Sequence, residues 1–177
     1  MLDLIRNRRS ARKFDDRRIS ADIIALLEEC LLRSPTSKNN RPWEFVFVDD
    51  PALLTQLSQC KPHGAAFLSE APLAVVLIAD ESKSDVWVED CSIAAITLQY
   101  MAQSMDVGSC WIQVRKRTHE SQESAEAAVR RTLGIPEKMR VASIIALGYR
   151  TDARPGVPKE KLEYRKIMRN RYMNSEQ

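Results

Sequence analysis

Four short segments of the chain carry side chains that chemistry can use. The first is Arg8-Arg9-Ser10-Ala11-Arg12. Arginine offers fixed pairs of N–H donors and serine adds a hydroxyl, so the stretch reads as a phosphate clamp. A phosphate monoester carries about two negative charges near neutral pH, and burying one requires several cations. By charge alone the same stretch is equally a solvated basic surface. The second segment is Pro35-Thr36-Ser37-Lys38-Asn39-Asn40-Arg41-Pro42-Trp43. Thr36, Ser37, Asn39 and Arg41 give it donors and acceptors suited to a polyol or the polar rim of a heterocycle. The third, Gly108-Ser109-Cys110-Trp111-Ile112, and the fourth, Pro158-Lys159-Glu160-Lys161-Leu162, are weak signals alone. A glycine turn before a strand and a pair of surface lysines are common features. Cys30, Cys60, Cys91 and Cys110 form no CxxC pair, and His63 and His119 have no metal-like spacing. No metal site is expected, and the thiols read as reduced packing residues.

These segments need a scaffold. A length of 177 residues suits one domain or two small ones, with enough chain to bury a real core. Hydrophobic residues at 44% and charged residues at 29% argue against a disordered chain. The longest apolar run, Leu73–Ala79, is far short of the ~20 residues a membrane helix needs. Met1–Ser20 is charged and lacks the apolar stretch of a signal peptide, so a cytoplasmic protein without a membrane partner is expected. The net charge of +3 is too small for a dedicated nucleic-acid protein, and no nucleic-acid partner is expected. Basic residues do gather at the two ends, from Arg6 to Arg18 and from Lys159 to Arg171. Ends that meet in the fold would build one anion site.

The elements follow from pattern. Leu2–Asn7 reads as a short helix, and Ser20 caps a longer one that Pro35 stops. Trp43–Val48 is a strand by alternation, and Asp50-Pro51 opens a helix to about Ser58. Lys61–Glu70 shows no period. Leu73–Ala79 and Val141–Leu147 read as strands buried on both faces. Val86–Ser104 is a long helix, apolar nearly all round, which belongs in a core or a subunit interface. Ser124–Leu133 is a surface helix, and Glu160–Tyr172 reads as an amphipathic tail helix. Mixed helices and about four strands give an α+β or α/β sandwich.

Taken in order, the segments resemble the FMN-dependent nitroreductase family over nearly the whole chain. The resemblance is carried by Arg-Arg-Ser-x-Arg-x-Phe at Arg8–Phe14, the loop Ser34–Trp43, and Glu70-Ala71-Pro72 before an apolar strand. The long helix from Asp90, the Gly-Ser-Cys-Trp-Ile turn, Leu133–Pro136 and Leu147–Tyr149 complete the series. It implies an α+β fold, a central mostly antiparallel sheet wrapped by helices, and an intertwined homodimer with FMN at the subunit interface. Residues 1–177 would form one FMN-binding domain, with a tail from about 150 to 177 extending over the partner or the FMN phosphate.

Carried over position by position, the family pattern puts Arg8, Arg9, Ser10 and Arg12 on the phosphate, ribityl chain and pyrimidine edge. Pro35, Thr36, Ser37 and Asn39 would approach FMN from the partner subunit. Trp111, Ile112 and Gln113 would meet the flavin through backbone groups, and Lys159 and Lys161 would help hold the phosphate. Arg12 is the candidate for tuning the flavin, because a guanidinium near its N1–C2=O edge stabilises the reduced anionic form. The implied reaction is ping-pong: NADH or NADPH gives hydride to flavin N5 and leaves, and a nitroaromatic, quinone or enone then takes it. No side chain need be a nucleophile. Departures are Arg41 where the family usually has Gln, Gly64-Ala65-Ala66-Phe67 where some relatives have a basic residue, and Gln113-Val114 where some have Glu-Gly. The alternatives are a flavin-binding or sensing protein, or a specialised member performing dehalogenation or flavin-fragmenting chemistry with poor NAD(P)H turnover.

Overall fold

This computed structural model of the chain describes residues 1–152 and 155–172. Its architecture follows from two apolar strands, β2 (Leu73–Asp80) and β4 (Met139–Gly148). A strand apolar at every position is stable only where both of its faces are covered. In β2, Val75, Leu77 and Ala79 enter one core, while Ala74, Val76 and Ile78 enter the other. β1 (Trp43–Val48) flanks β2, and β3 (Gly108–Gln113) flanks β4. The order is β1-β2-β4-β3, and every pair is antiparallel. The sheet expected to be mostly antiparallel is wholly so.

Helices close both faces. α2 (Ala21–Leu32) and α4 (Trp87–Ser104) cover one with Leu27, Leu31, Cys91, Ala94 and Leu98. α3 (Pro51–Ser58) and α5 (Ala125–Leu133) cover the other with Leu54, Leu57 and Val129. α1 (Leu2–Asn7) lies against α4. Helix starts are fixed chemically. Ser20 Oγ accepts from Ile23 N at 3.4 Å, Asp50 Oδ1 from Ala52 N at 2.7 Å, and Ser124 Oγ from Ala127 N at 3.1 Å. Such caps are worth about 1 kcal/mol each. Glu126 is buried and ties α5 to β4, accepting from Val141 N at 3.1 Å and meeting Arg140 at 3.4 Å.

α4 buries one face in the core and leaves the apolar Ile93 and Ile96 of its other face exposed in the single chain, in keeping with a helix apolar nearly all round. One expectation needs correction. The tail forms no helix over Glu160–Tyr172. It makes 3-10 turns at Lys159–Lys161 and Tyr164–Lys166, and leaves Leu162, Tyr164, Ile167 and Tyr172 exposed. So short a helix is marginal in water unless its apolar face is buried, and none of the described residues covers this one.

At the end of β4 the N-terminal segment crosses the sheet, with Phe14 bridged to Arg150. Gly148 makes room for it, since a Cβ there would stand 2.7 Å from Phe14 Cδ1 and 2.7 Å from Pro72 Cδ. Gly148→Ala should therefore destabilise the protein by about 1–3 kcal/mol through overpacking. The expected readout is a lower urea midpoint at unchanged slope.

Candidate functional site

β3 is an edge strand, and only its start is covered. Ser10 bridges Ser109, and Ala11 N donates to Ser109 O at 2.9 Å. From Cys110 to Gln113 the outer edge has no strand partner among the described residues. Main-chain groups on such an edge are unused by the sheet, although Cys110 and Ile112 are buried and Trp111 and Gln113 half-buried. The bridge seats Arg8–Arg12 beside this edge, and positive charge converges on Cys110. Burial pushes the Cys110 thiol up, while Arg12, the Ser10 hydroxyl, Arg8 and Lys61 pull it the other way. The Arg12 guanidinium sits 5.9 Å from the centre of the Phe67 ring. Among the described residues no carboxylate pairs with Arg8, Arg12 or Lys61.

Lys61 is the site residue that sequence reading missed. It lies in the segment without a period, ahead of the Gly64–Phe67 stretch that carries no basic residue. The connection from α3 to the 3-10 turn Ala66–Glu70 brings it back toward β3. Only its lysine identity pointed to it; its placement is purely tertiary.

The opening segment meets the chain just ahead of the basic tail. Arg9 Nε donates to Pro155 O at 2.9 Å. A Cβ on Gly156 would stand 2.1 Å from Arg6 O, so only glycine fits against α1 there. Arg9 thus holds the tail with one nitrogen and keeps its two terminal nitrogens for other partners. Lys159 and Lys161 stand exposed three and five residues beyond Gly156, and their side chains have no hydrogen-bond or ion-pair partner among the described residues.

β3 itself is internally braced. Trp111 Nε1 donates to Gln113 Oε1 at 2.9 Å, and Gln113 Nε2 donates to Arg115 O at 2.9 Å. Ile112 is fully buried, main chain included, while Trp111 and Gln113 on either side of it are half-buried.

The loop from Ser34 to Pro42 lies elsewhere, and no hydrogen bond or ion pair joins it to Arg8–Arg12 among the described residues. Its backbone is strained, with Lys38, Asn39 and Arg41 at φ of 49°, 57° and 46°. Left-handed backbone costs a non-glycine residue about 1–2 kcal/mol, so something must hold it. Arg41 N donates to Thr36 Oγ1 at 3.0 Å, and Arg41 Nε donates to Asn39 Oδ1 at 2.9 Å. Arg41 therefore braces the loop, and it engages the side-chain carbonyl of Asn39. The deepest anchor is Asp90 at the start of α4, which is 2% exposed. Its carboxylate accepts from Ser37 N at 2.8 Å and from Ser84 Oγ at 2.9 Å. Asp90→Ala should cost about 1–3 kcal/mol for each donor left unpaired. Asp90→Asn should lose less, because its amide can accept from Ser37 and donate to Ser84. Thermal midpoints and the rate of tryptic cleavage after Lys38 check both.

Comparison with known proteins agrees with this architecture. The model of the Nitroreductase family matches residues 5–61 and 55–149. An FMN-dependent nitroreductase from Clostridium difficile has a solved structure that superposes with a TM-score of 0.95 at 40% identity, covering 97% of this chain and 100% of that one. A protein of Archaeoglobus fulgidus, provisionally named NADH dehydrogenase/NAD(P)H nitroreductase, is 36% identical over 85% of this chain and 86% of its own length. The NADPH:FMN oxidoreductase of Vibrio harveyi, solved with NAD+, shares the fold at a TM-score of 0.81 and 20% identity, over 98% of this chain and 78% of its own. With its α+β fold, its arginine-rich opening strapped across β3 and these matches together, the chain belongs to the nitroreductase family.

Proposed function

We propose that the chain is an FMN-dependent oxidoreductase that draws electrons from NADH or NADPH and delivers them to a nitroaromatic, quinone or enone. The observation that carries the reading is the bridge of Ser10 to Ser109, which seats Arg8 and Arg12 beside β3 with no carboxylate paired to them among the described residues. This donor set suits a phosphate monoester, which brings about two negative charges and wants several cations. When bound, FMN supplies transfer of two electrons between donor and acceptor. The chain's residues bind and orient it. Arg8, Arg9 and Ser10 hold the phosphate, and Lys159 and Lys161 close over it from the tail. Arg12 keeps a positive charge beside the pyrimidine edge. The main chain of Trp111, Ile112 and Gln113 lies along the outer rim of β3 and meets the flavin there.

The loop that carries Pro35, Thr36, Ser37 and Asn39 reaches the site from a second copy of the chain. Apolar residues exposed on α1, α2 and α4 support that dimer, among them Ile5, Leu26, Leu32, Ile93 and Ile96. The exposed Leu162, Tyr164 and Ile167 of the tail would lie over the partner, making residues 1–177 one intertwined unit. Residues 153–154 and 173–177 of that tail lie outside the described residues.

The decisive experiment is the visible spectrum of the purified protein, then NADH or NADPH added without oxygen. The expected result is flavin absorbance near ~450 nm that bleaches within seconds. Flavin that binds and stays oxidised would replace catalysis with sensing, and a colourless protein that FMN cannot reconstitute would overturn the reading. Arg8→Ala should weaken FMN about 10- to 100-fold, the effect of losing a charge-assisted hydrogen bond. Ile96→Glu should yield a monomer in sedimentation and lose flavin with it.

A further inference from the structure

At the ends of α4 and β4 the chain borders a cleft of about 440 Å³. Small-molecule sites run from about 300 to 1,000 Å³. Arg17, Gln103, Met105, Asp106, Tyr149 and Arg150 line the cleft, and Gly108 at the start of β3 adds its backbone. Arg17 is already committed. Its guanidinium lies 4.1 Å from the centre of the Tyr149 ring, Nε donates to Asp15 Oδ2 at 2.8 Å, and Nη2 stands 2.7 Å from the same oxygen. Asp15 is tied to this place as well, its main-chain N donating to Tyr149 O at 2.9 Å. Arg17 and Asp15 thus form a fixed wall whose charges cancel.

Two other charges of the cleft are not answered in this way. Arg150 is half-buried and held by its bridge to Phe14, and no carboxylate pairs with it among the described residues. Asp106 follows the last turn of α4, where Val107 N donates to Ala102 O at 2.9 Å. A helix C-terminus carries partial negative charge, so a carboxylate there is disfavoured unless a cation joins it. No cation pairs with Asp106 among the described residues. A cation and an anion therefore line one cleft without pairing with each other.

We propose that this cleft binds a free α-amino acid with an apolar side chain, its carboxylate on Arg150 and its ammonium on Asp106. A ligand that carries both charges bridges the two groups that the fold leaves apart, and the planar fork of a guanidinium matches a carboxylate. The Gln103 amide can donate to the carboxylate or accept from the ammonium, and Met105 offers the side chain an apolar surface. A phosphate ester fits less well, because Asp106 repels it and Asp15 already neutralises Arg17. The site shares no residue with those proposed to hold FMN and needs no flavin.

The test is calorimetric titration of the purified protein, with and without added FMN. The probes are L-leucine, N-acetyl-L-leucine, which lacks the ammonium, and L-leucinamide, which lacks the carboxylate. L-Leucine should bind about two- to fivefold more tightly than either derivative at low salt, the scale of a partly exposed ion pair. Arg150→Met should erase its advantage over leucinamide and keep that over N-acetyl-leucine. Asp106→Asn should do the reverse; asparagine accepts the left-handed backbone that Asp106 adopts at φ 58°, so this variant keeps its turn. Neither variant should change FMN affinity. A wild type that binds no L-leucine up to about 10 mM overturns the site. Equal binding of the three probes does so too, as does L-leucine that FMN displaces, since it then occupies the flavin's place. A protein that takes up no FMN and still binds the probes in the expected order removes the proposed function and leaves this site standing.

Discussion

β2 and β4 are apolar on both faces, so water must be kept from each of them twice. That constraint sets nearly everything else. It demands α2 and α4 on one side and α3 and α5 on the other, and it places the two core strands in the middle of the sheet. With the middle filled, β1 and β3 become the rims. β3 is then the natural place for a ligand, since its outer edge is strapped only at Ser109. The fold's hydrophobic requirement and its edge are thus linked: β3 gives its side chains to both cores, and its outer edge beyond Ser109 is left without a strand partner among the described residues.

Electrostatics follow the same geography. Away from β3, several arginines have carboxylates in reach, and Glu126 neutralises two of them at the seam between α5 and β4. At β3 the arrangement reverses: Arg8, Arg12 and Lys61 all act on the buried Cys110 thiol, with no carboxylate paired to them among the described residues. Each cation alone is ordinary on a surface; together they favour an anion beside β3.

Much of this was legible in the residues. Alternation marked β1, continuous apolar runs marked β2 and β4, and Ser20 and Asp50 announced helix starts by their hydroxyl or carboxylate. Local chemistry determines such features, so local reading finds them. The arginine-rich opening was legible too, as a motif. Lys61 was not, because a connection without periodicity carries it to β3 from a distance that no spacing records. The tail failed for the opposite reason. Its pattern is amphipathic, but a pattern becomes a helix only where a surface receives its apolar face, and none of the described residues offers one. Arg41 read as a departure; the loop shows it bracing Thr36 and Asn39.

The clasp between Arg9 and Pro155 has a kinetic side. These residues stand 146 positions apart, so their hydrogen bond closes almost the whole chain into a ring. Closing so long a loop is entropically cheap only after the intervening segments have already condensed. The sheet and its helices must therefore assemble first, and Gly156 docks onto α1 last. The final event of folding is then the one that sets Pro155 and Gly156 against Arg9 and Arg6, so any site that needs both ends of the chain arises only when the molecule is otherwise finished. A nascent chain lacks it until the tail has been synthesised.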